Sequence, residues 1–399
     1  MSANPTKQML EGRIATLFEH LKKAGTAFDT AIIISKINQY YFTGTMQDGI
    51  LILRKEGTAV YFVRKSYERA RQESALDALY EISTYRDILA FIPQNLGSTY
   101  IETEIVPTAM VDRLKKYFAI GEIHSLDRIV MGIRSIKSDY ELEFIAESGR
   151  QHQYVMETVV PSLLREGMSE TDFAAEMYCS MIKRGHHGVS RFSMFQIEMI
   201  IGQIGFGTNS IYPTSFDGPG GMLGLCPAVP LLGSRDRFLQ KGDIVFVDAG
   251  YGVLGYHSDK TQVYSFGAEP APEVTEIHNA CRTVLDKASA MLTVGSLPTD
   301  IYQESMRGLP SLLSKNFMGY GKEGVKFLGH GVGLQIDEMP VIAKGHSVPL
   351  QENMVIALEP KCGIAGVGTV GVEETYVVKK TDPICLTGGA REIIVVQGK

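Results

Sequence analysis

The stretch Val245–Asp259, VFVDAGYGVLGYHSD, constrains this chain more than any other, because it admits two incompatible foldings. Gly250, Gly252 and Gly255 spell G-x-G-x-x-G behind an apolar strand, which is the spacing of a dinucleotide loop. Such a loop needs its third glycine to open a helix, because the pyrophosphate rests on that helix's N-terminus. Gly255 instead leads into YHSDKTQVYSFG, rich in Thr, Val, Tyr and Phe, which reads as a strand. The segment is therefore expected to be a β-hairpin. Folded symmetrically about Val253 and Leu254, it places Asp248 directly opposite Asp259. Facing Cβ atoms lie about 5 Å apart, where like charges destabilise a sheet and push one carboxyl pKa upward. A bound divalent cation removes that conflict; a shifted register, or exposure of both aspartates to water, removes it equally.

The C-terminal region supplies a second acidic pair. In NMVIALEP, Glu359 ends an apolar strand as Asp248 does, and in VGVEETYVV, Glu373 lies in the next strand. A hairpin centred on Gly366 sets these two opposite each other. Four carboxylates at one focus are expected to be intolerable without metal. His330, in FLGHGVGLQIDEMP, lies between the two hairpins in sequence, and its flanking glycines permit close backbone approach. A lone histidine is more often structural than a ligand. As the fifth member of this set it reads as a ligand, and four carboxylates with one imidazole suit two divalent ions such as Mn, Co, Zn or Fe.

A chain of 399 residues exceeds what one hydrophobic core usually serves. Residues 1–132 read as an α/β domain, with a helix around Arg13–Ala24 and strands through AIIIS, GILILR and AVYFVR. Ser138 and Glu141 form a capping box that opens a helix, so a second domain is placed at 133–399. A helix capped at Ser169 with Asp172, the Gly/Pro-rich loop SFDGPGG (Ser215–Gly221), helices from Glu273 and Thr299, and a run of strands complete it. The formal charge of -6 and the absence of any basic run argue against a nucleic-acid partner, so none is expected. No apolar run approaches the roughly 20 residues of a membrane span, and MSANPTKQMLEGR has no signal-peptide pattern. Five scattered cysteines without a C-x-x-C pair suit a reducing compartment, so a cytoplasmic address is expected, with the cysteines as small core residues.

GDIVFVDAGYGVLGYHSDKT, GHGVGLQIDEMP, VIALEPK and VGVEETYVV together resemble the signature blocks of the pita-bread metallopeptidases, the group of Xaa-Pro dipeptidase, aminopeptidase P, methionine aminopeptidase and creatinase. The first 132 residues, including YYFTGT (Tyr40–Thr45), resemble the creatinase-type N-terminal domain. The resemblance implies an α/β (α+β) chain: a creatinase-type domain followed by a pita-bread catalytic domain. It also implies metal ligation by Asp248, Asp259, His330, Glu359 and Glu373, with two divalent ions sharing a bridging water or hydroxide. Glu359 is implied to double as the proton shuttle. The function so implied is hydrolysis of short peptides of the Xaa-Pro type by a homodimer.

Proline-specific members of that family carry three further histidines near the metals, and this sequence departs at each. Lys326 stands four residues before His330, Asp337 stands seven after it, and no histidine occurs between His187 and His257. Lysine stays cationic and aspartate stays an acceptor, so these replacements change which substrate groups can be bound. Lys326 holding a substrate carboxylate, with Asp337 holding an amine or the lysine itself, stands against a plain Lys326–Asp337 bridge. His257 shares a strand face with Asp259 and could supply an imidazole; a partly exposed hairpin position is the other reading. Of the adjacent His186 and His187, at most one is expected to reach a pocket. Thr261 matches a family threonine near the metals, whereas Gln262 stands where arginine is common. A competing function is a metal-dependent lyase or amidohydrolase acting on a non-peptide small molecule. A non-catalytic binding protein would normally show eroded ligand positions, and none is eroded here.

Overall fold

Leu10, Ile14, Leu17 and Leu21 recur at helical spacing and form the buried stripe of the first helix, Lys7–Lys23. The helix starts before Arg13 because the Thr6 hydroxyl caps it, accepting from the Met9 N–H at 3.3 Å. It belongs to the first of two units, 1–134 and 135–399. The computed structural model describes residues 4–24, 28–194 and 196–398.

The first unit is built on a mixed six-stranded sheet in the order β4-β3-β2-β1-β5-β6. Its strands are β1 (Thr30–Ile33), β2 (Asp48–Arg54), β3 (Ala59–Lys65), β4 (Leu79–Glu81), β5 (Asn95–Ile101) and β6 (Ala119–Ser125). Alternate side chains from these strands, among them Ile32, Ile50, Ile52, Phe62 and Leu96, make its core.

The second unit contains two larger sheets. One has the order β19-β9-β8-β7, from β7 (Gly202–Phe206), β8 (Ile244–Val253), β9 (Tyr256–Phe266) and, parallel to β9, β19 (Ile394–Val396). Between them in sequence lie a small ladder of β10 (Gly319–Tyr320) and β11 (Glu323–Gly324), then β12 (Phe327–Gly331), β13 (Glu338–Ala343) and β14 (Val355–Leu358). Next come β15 (Lys361–Ile364), β16 (Gly368–Gly371), β17 (Glu374–Val377) and β18 (Ile384–Cys385). The second sheet runs β13-β12-β14-β17-β18, and β15 pairs with β16. The helices Asp139–Tyr154 and Glu170–Lys183 both begin with reciprocal capping boxes, Ser138 with Glu141 and Ser169 with Asp172.

Strand β8 is buried along both faces, and its alternation decides where the chemistry falls. Val245, Val247, Ala249 and Tyr251 pack into a core with Phe173, Met177 and Met181 of helix Glu170–Lys183. Ile244 and Phe246 face the other way, into a core with Ile277, Cys281 and Leu285 of helix Pro272–Ser289. Asp248 is the next residue on that second face.

The hairpin register differs from the symmetric expectation by one turn position. Val253 pairs with Tyr256, so the loop is Leu254–Gly255. Both loop residues have positive φ, 49° and 98°. A two-residue hairpin of this kind needs left-handed backbone at both positions, and β-branched Val253 is among the residues least able to adopt it. Moving the turn by one residue slides the pairing by two: Asp248 faces Thr261, and Asp259 faces Gly250. A slide of two keeps both aspartates on one face, now as diagonal neighbours. The second acidic ribbon keeps the expected register. From Val355↔Val377 to Ile364↔Gly368 the pairing is continuous about Gly366, and Glu359 and Glu373 fall opposite each other between its two ladders.

The cysteines divide against expectation. Cys281 and Cys362 are buried, but Cys179, Cys226 and Cys385 are exposed, so small size and low polarity did not suffice to draw these three inward. Among the described residues, no helix is long and apolar enough to cross a membrane.

Candidate metal centre

The two acidic ribbons meet at Thr261. Its N–H donates to the Glu373 carbonyl at 3.3 Å, and its hydroxyl donates to Glu373 Oε2 at 2.9 Å. Thr261 thereby joins the strand carrying Asp259 to the segment carrying Glu373. His330 arrives from β12, where it pairs with Ala357 of β14. A Cβ on Gly329 would lie 2.1 Å from the Ala357 carbonyl, and one on Gly331 would lie 2.2 Å from that of Met339. Only glycine on both sides lets the imidazole be carried so close to neighbouring backbone.

Backbone carbonyls orient the ring. His330 Nδ1 lies 3.0 Å from the Ile336 oxygen and 3.2 Å from the Gly331 oxygen. A carbonyl only accepts, so Nδ1 carries a proton, and the neutral ring, the form that binds a cation, presents a lone pair at Nε2. Facing that lone pair are Glu359 Oε1 at 3.6 Å, Asp259 Oδ2 at 3.9 Å and Glu373 Oε1 at 3.9 Å. Glu373 Oε1 is buried and has no hydrogen-bond partner. Ligand atoms of Asp259, His330 and Glu373 lie within 4.8 Å of one another, as do those of Asp248, Glu359 and Glu373. An orphaned carboxylate oxygen, further carboxylates and an imidazole lone pair aimed at one point fit a divalent cation of the hard-to-borderline class.

Lys361 enters the same cluster, and sequence reasoning had passed over it. Its ammonium is fully buried and donates at 2.8 Å to each of Asp248 Oδ2, Glu359 Oε2 and Glu373 Oε2. The available signal was its position two residues after Glu359 in an extended segment, which repeats the same face. On the opposite face a separate buried pair, Lys260 with Glu374, uses the residues next to Asp259 and Glu373.

Charge balance in the cluster is incomplete even with this lysine. Burial, reinforced by Glu373 and opposed by Lys361, pushes Asp248 up to about 6. Burial and then the surrounding carboxylates hold Asp259 well above the usual range, and burial also raises Glu359. Lys361 is held well above its ordinary value because three carboxylates outweigh its desolvation. Carboxyls raised in this way lack compensating positive charge.

The centre opens into a cleft walled by Phe192, Ile201, Phe216 and Ile336, with Asp217 and Asp337 adding acid to its lining. Phe216 and Asp217 come from the SFDGPGG loop, which therefore lines the cleft. Their role had no sequence signal beyond the loop's Gly/Pro density. Asp337 Oδ1 lies 3.6 Å from His330 Nδ1. Lys326 is exposed and outside the cleft, and no ion pair joins it to Asp337 among the described residues. Neither of the two readings of Lys326 is met in this structure: it makes no bridge to Asp337 among the described residues and does not line the cleft. His257 shares Asp259's strand face but sits at the turn end, opposite Gly252. There its Nδ1 lies 3.0 Å from the Gly333 oxygen and its Nε2 3.2 Å from His187 Nε2, fully buried rather than partly exposed. Neither His186 nor His187 lines the cleft; each Nδ1 instead accepts a backbone N–H of the hairpin, from Gly252 and Gly255. Gln262 turns away from the centre and donates to the Glu392 carbonyl at 2.8 Å.

Comparison with known proteins gives concordant matches. The metallopeptidase family M24 matches residues 143–380, and the creatinase/prolidase N-terminal domain matches residues 13–136. An Xaa-Pro dipeptidase of Pyrococcus horikoshii is 24% identical over 390 residues, covering 97% of this chain and 99% of the relative. One from Pyrococcus furiosus is 26% identical over 373 residues, covering 92% and 96%. The solved Xaa-Pro dipeptidase from Bacillus anthracis superposes with a TM-score of 0.78 at 20% identity, covering 97% of this chain and 99% of that one, which speaks to fold alone.

Proposed function

The chain belongs to the metallopeptidase family M24, and from that premise we propose that it hydrolyses short peptides with a divalent cation held by Asp259, His330, Glu359 and Glu373. The observation carrying this reading is the convergence of three carboxylate oxygens, one of them orphaned, on the His330 Nε2 lone pair. A cation bound there supplies Lewis acidity, lowering the pKa of water and polarising the scissile carbonyl. Glu359 stands among the ligands with its carboxyl raised by burial, which suits a group that takes a proton from water and returns it to the leaving amine. Thr261 keeps Glu373 in place through its hydroxyl. The apolar walls exclude water and receive side chains, while Asp217 and Asp337 offer acceptors to a substrate amine.

Cleavage before proline is supported by the similarity to the two Pyrococcus Xaa-Pro dipeptidases. Oxygen-rich ligation with one imidazole accepts Mn, Co, Zn or Fe, and availability selects among them. A cytoplasmic address is supported by five free thiols; a homodimer is supported by the family resemblance only. A second reading, a lyase or amidohydrolase acting on a non-peptide, is favoured by one observation: among the described residues, His330 is the sole imidazole lining the cleft. Assaying Xaa-Pro dipeptides, other dipeptides and a tripeptide after reconstitution with Mn or Co tests the proposal. Metal-dependent release of amino acids is expected, abolished by chelation. Complete inactivity of protein shown to contain metal would move the assignment to the second reading.

A further inference from the structure

The donor geometry around Lys361 bears on how many ions this centre can hold. Two overlapping triads are present: Asp259, His330 and Glu373, and Asp248, Glu359 and Glu373. The Lys361 ammonium contacts each member of the second triad at 2.8 Å. An ammonium has three N–H donors, and here three carboxylate oxygens receive them. A metal ion bound at about 2.0–2.2 Å from those same oxygens would compete for the lone pairs already directed at the ammonium, with two positive charges in contact.

The two glutamates are divided between the triads. Oε2 of Glu359 and Oε2 of Glu373 both accept from Lys361, whereas Oε1 of each faces His330 Nε2. Each carboxylate thus spans two cation positions, as a bridging ligand does, but one position contains an ammonium tethered to the chain. Lys260 does not compete for this role, because it is paired with Glu374 on the opposite face of β9.

We infer that Lys361 occupies one of the two cation positions of this centre, so that the chain binds a single divalent ion, at Asp259, His330, Glu359 and Glu373. The inference rests on the metal-hydrolase reading above and deepens it. Asp248 then serves to hold Lys361 and is not a metal ligand. With all three donors engaged, Lys361 is a positioning residue: it fixes the orientation of both bridging glutamates and has no N–H left to offer a substrate. A covalently attached cation neither exchanges with solvent nor yields to a chelator, so the remaining ion should exchange as a single population.

The test is metal stoichiometry and spectroscopy on the full chain. Protein stripped with chelator, dialysed against Mn(II) and freed of excess is analysed for Mn per chain, alongside Lys361→Ala and Asp248→Asn. Wild type is expected to hold one Mn with the resolved hyperfine spectrum of an isolated ion. Lys361→Ala is expected to gain a second Mn and exchange-coupled signals, and Asp248→Asn to remain at one. Two Mn per wild-type chain overturns the inference while leaving the metal-hydrolase reading intact. A folded Lys361→Ala chain that still takes one Mn also overturns it. No Mn in any chain overturns both. Should Lys361→Ala fail to fold, the wild-type count and Asp248→Asn still decide, since losing a true second-site ligand would lower a count of two.

Discussion

Replacing Lys361 by methionine should make the stability of the second unit strongly dependent on metal and pH. Methionine keeps much of the length and apolar stem but removes the ammonium. Asp248, Glu359 and Glu373 each lose a 2.8 Å charge-assisted hydrogen bond in a site where the lysine itself is fully buried. Removing one partner of a buried ion pair costs about 3–5 kcal/mol, because the remaining charge stays desolvated and unpaired. For a unit of this size each kcal/mol moves the midpoint by about 2–4 °C, so a drop of roughly 6–20 °C is expected without metal. Protonation limits the loss. Asp248 is already raised to about 6 against an unfolded value of 3.8, and without Lys361 it rises further. A carboxyl raised in the fold stabilises below its unfolded pKa and loses that contribution as pH rises through its folded one. The deficit of the variant should therefore be small near pH 4 and grow as pH rises through about 6 and beyond. Mn(II) at about 100 times Kd adds about 2.7 kcal/mol to any chain that binds one ion only when folded, and the variant, free to take a second, should gain more than wild type. Calorimetric scans with and without Mn(II) across this pH range provide the measurement. A metal-free variant melting within about a degree of wild type at pH 8, on this scale, would refute the account of Lys361 as the cluster's counter-charge.

The positions of other side chains set further outcomes. Lys326→Ala should leave turnover of the best peptide substrate unchanged within about twofold, since the side chain is exposed and outside the cleft. Asp337→Ala, 3.6 Å from the His330 imidazole proposed to bind the cation, should lower kcat/KM at least tenfold, about 1.4 kcal/mol, and equal behaviour of the two variants would contradict this placement. His186 and His257 are depressed by burial to about 4 and about 3. A histidine depressed in the fold contributes stability above its unfolded pKa of 6.5, lost as pH falls towards the folded value. Each should then contribute about 1.4 kcal/mol of lost stability per pH unit below 6.5, so His257→Asn should flatten the acid limb measured by urea denaturation between pH 6.5 and 4.

Local pattern was enough to determine much of this protein. Periodicity and caps placed the helices opening at Ser138 and Ser169, because a capping box is satisfied by residues three apart and needs no distant partner. Alternation placed Asp248 and Asp259 on β8 and β9; Glu359 and Glu373 were expected on strands but lie just beyond β14 and just before β17, and counting about Gly366 matched their register, where glycine can supply the positive φ of the turn. The first ribbon was misjudged by one position, since symmetry alone ignores that Leu254 and Gly255, and not Val253, can take left-handed backbone. Tertiary structure alone decided what happens where the ribbons meet. Thr261 and Glu373 are far apart in sequence yet share a hydrogen bond, and His257 shares a face with Asp259 yet points at His187. Above all, two of the three partners of Lys361, Asp248 and Glu373, come from other segments, and its position two residues after Glu359 marks a shared face but not burial. Whether it lies in water or among three carboxylates depends on packing between distant strands, and that packing determines how much positive charge the centre still needs.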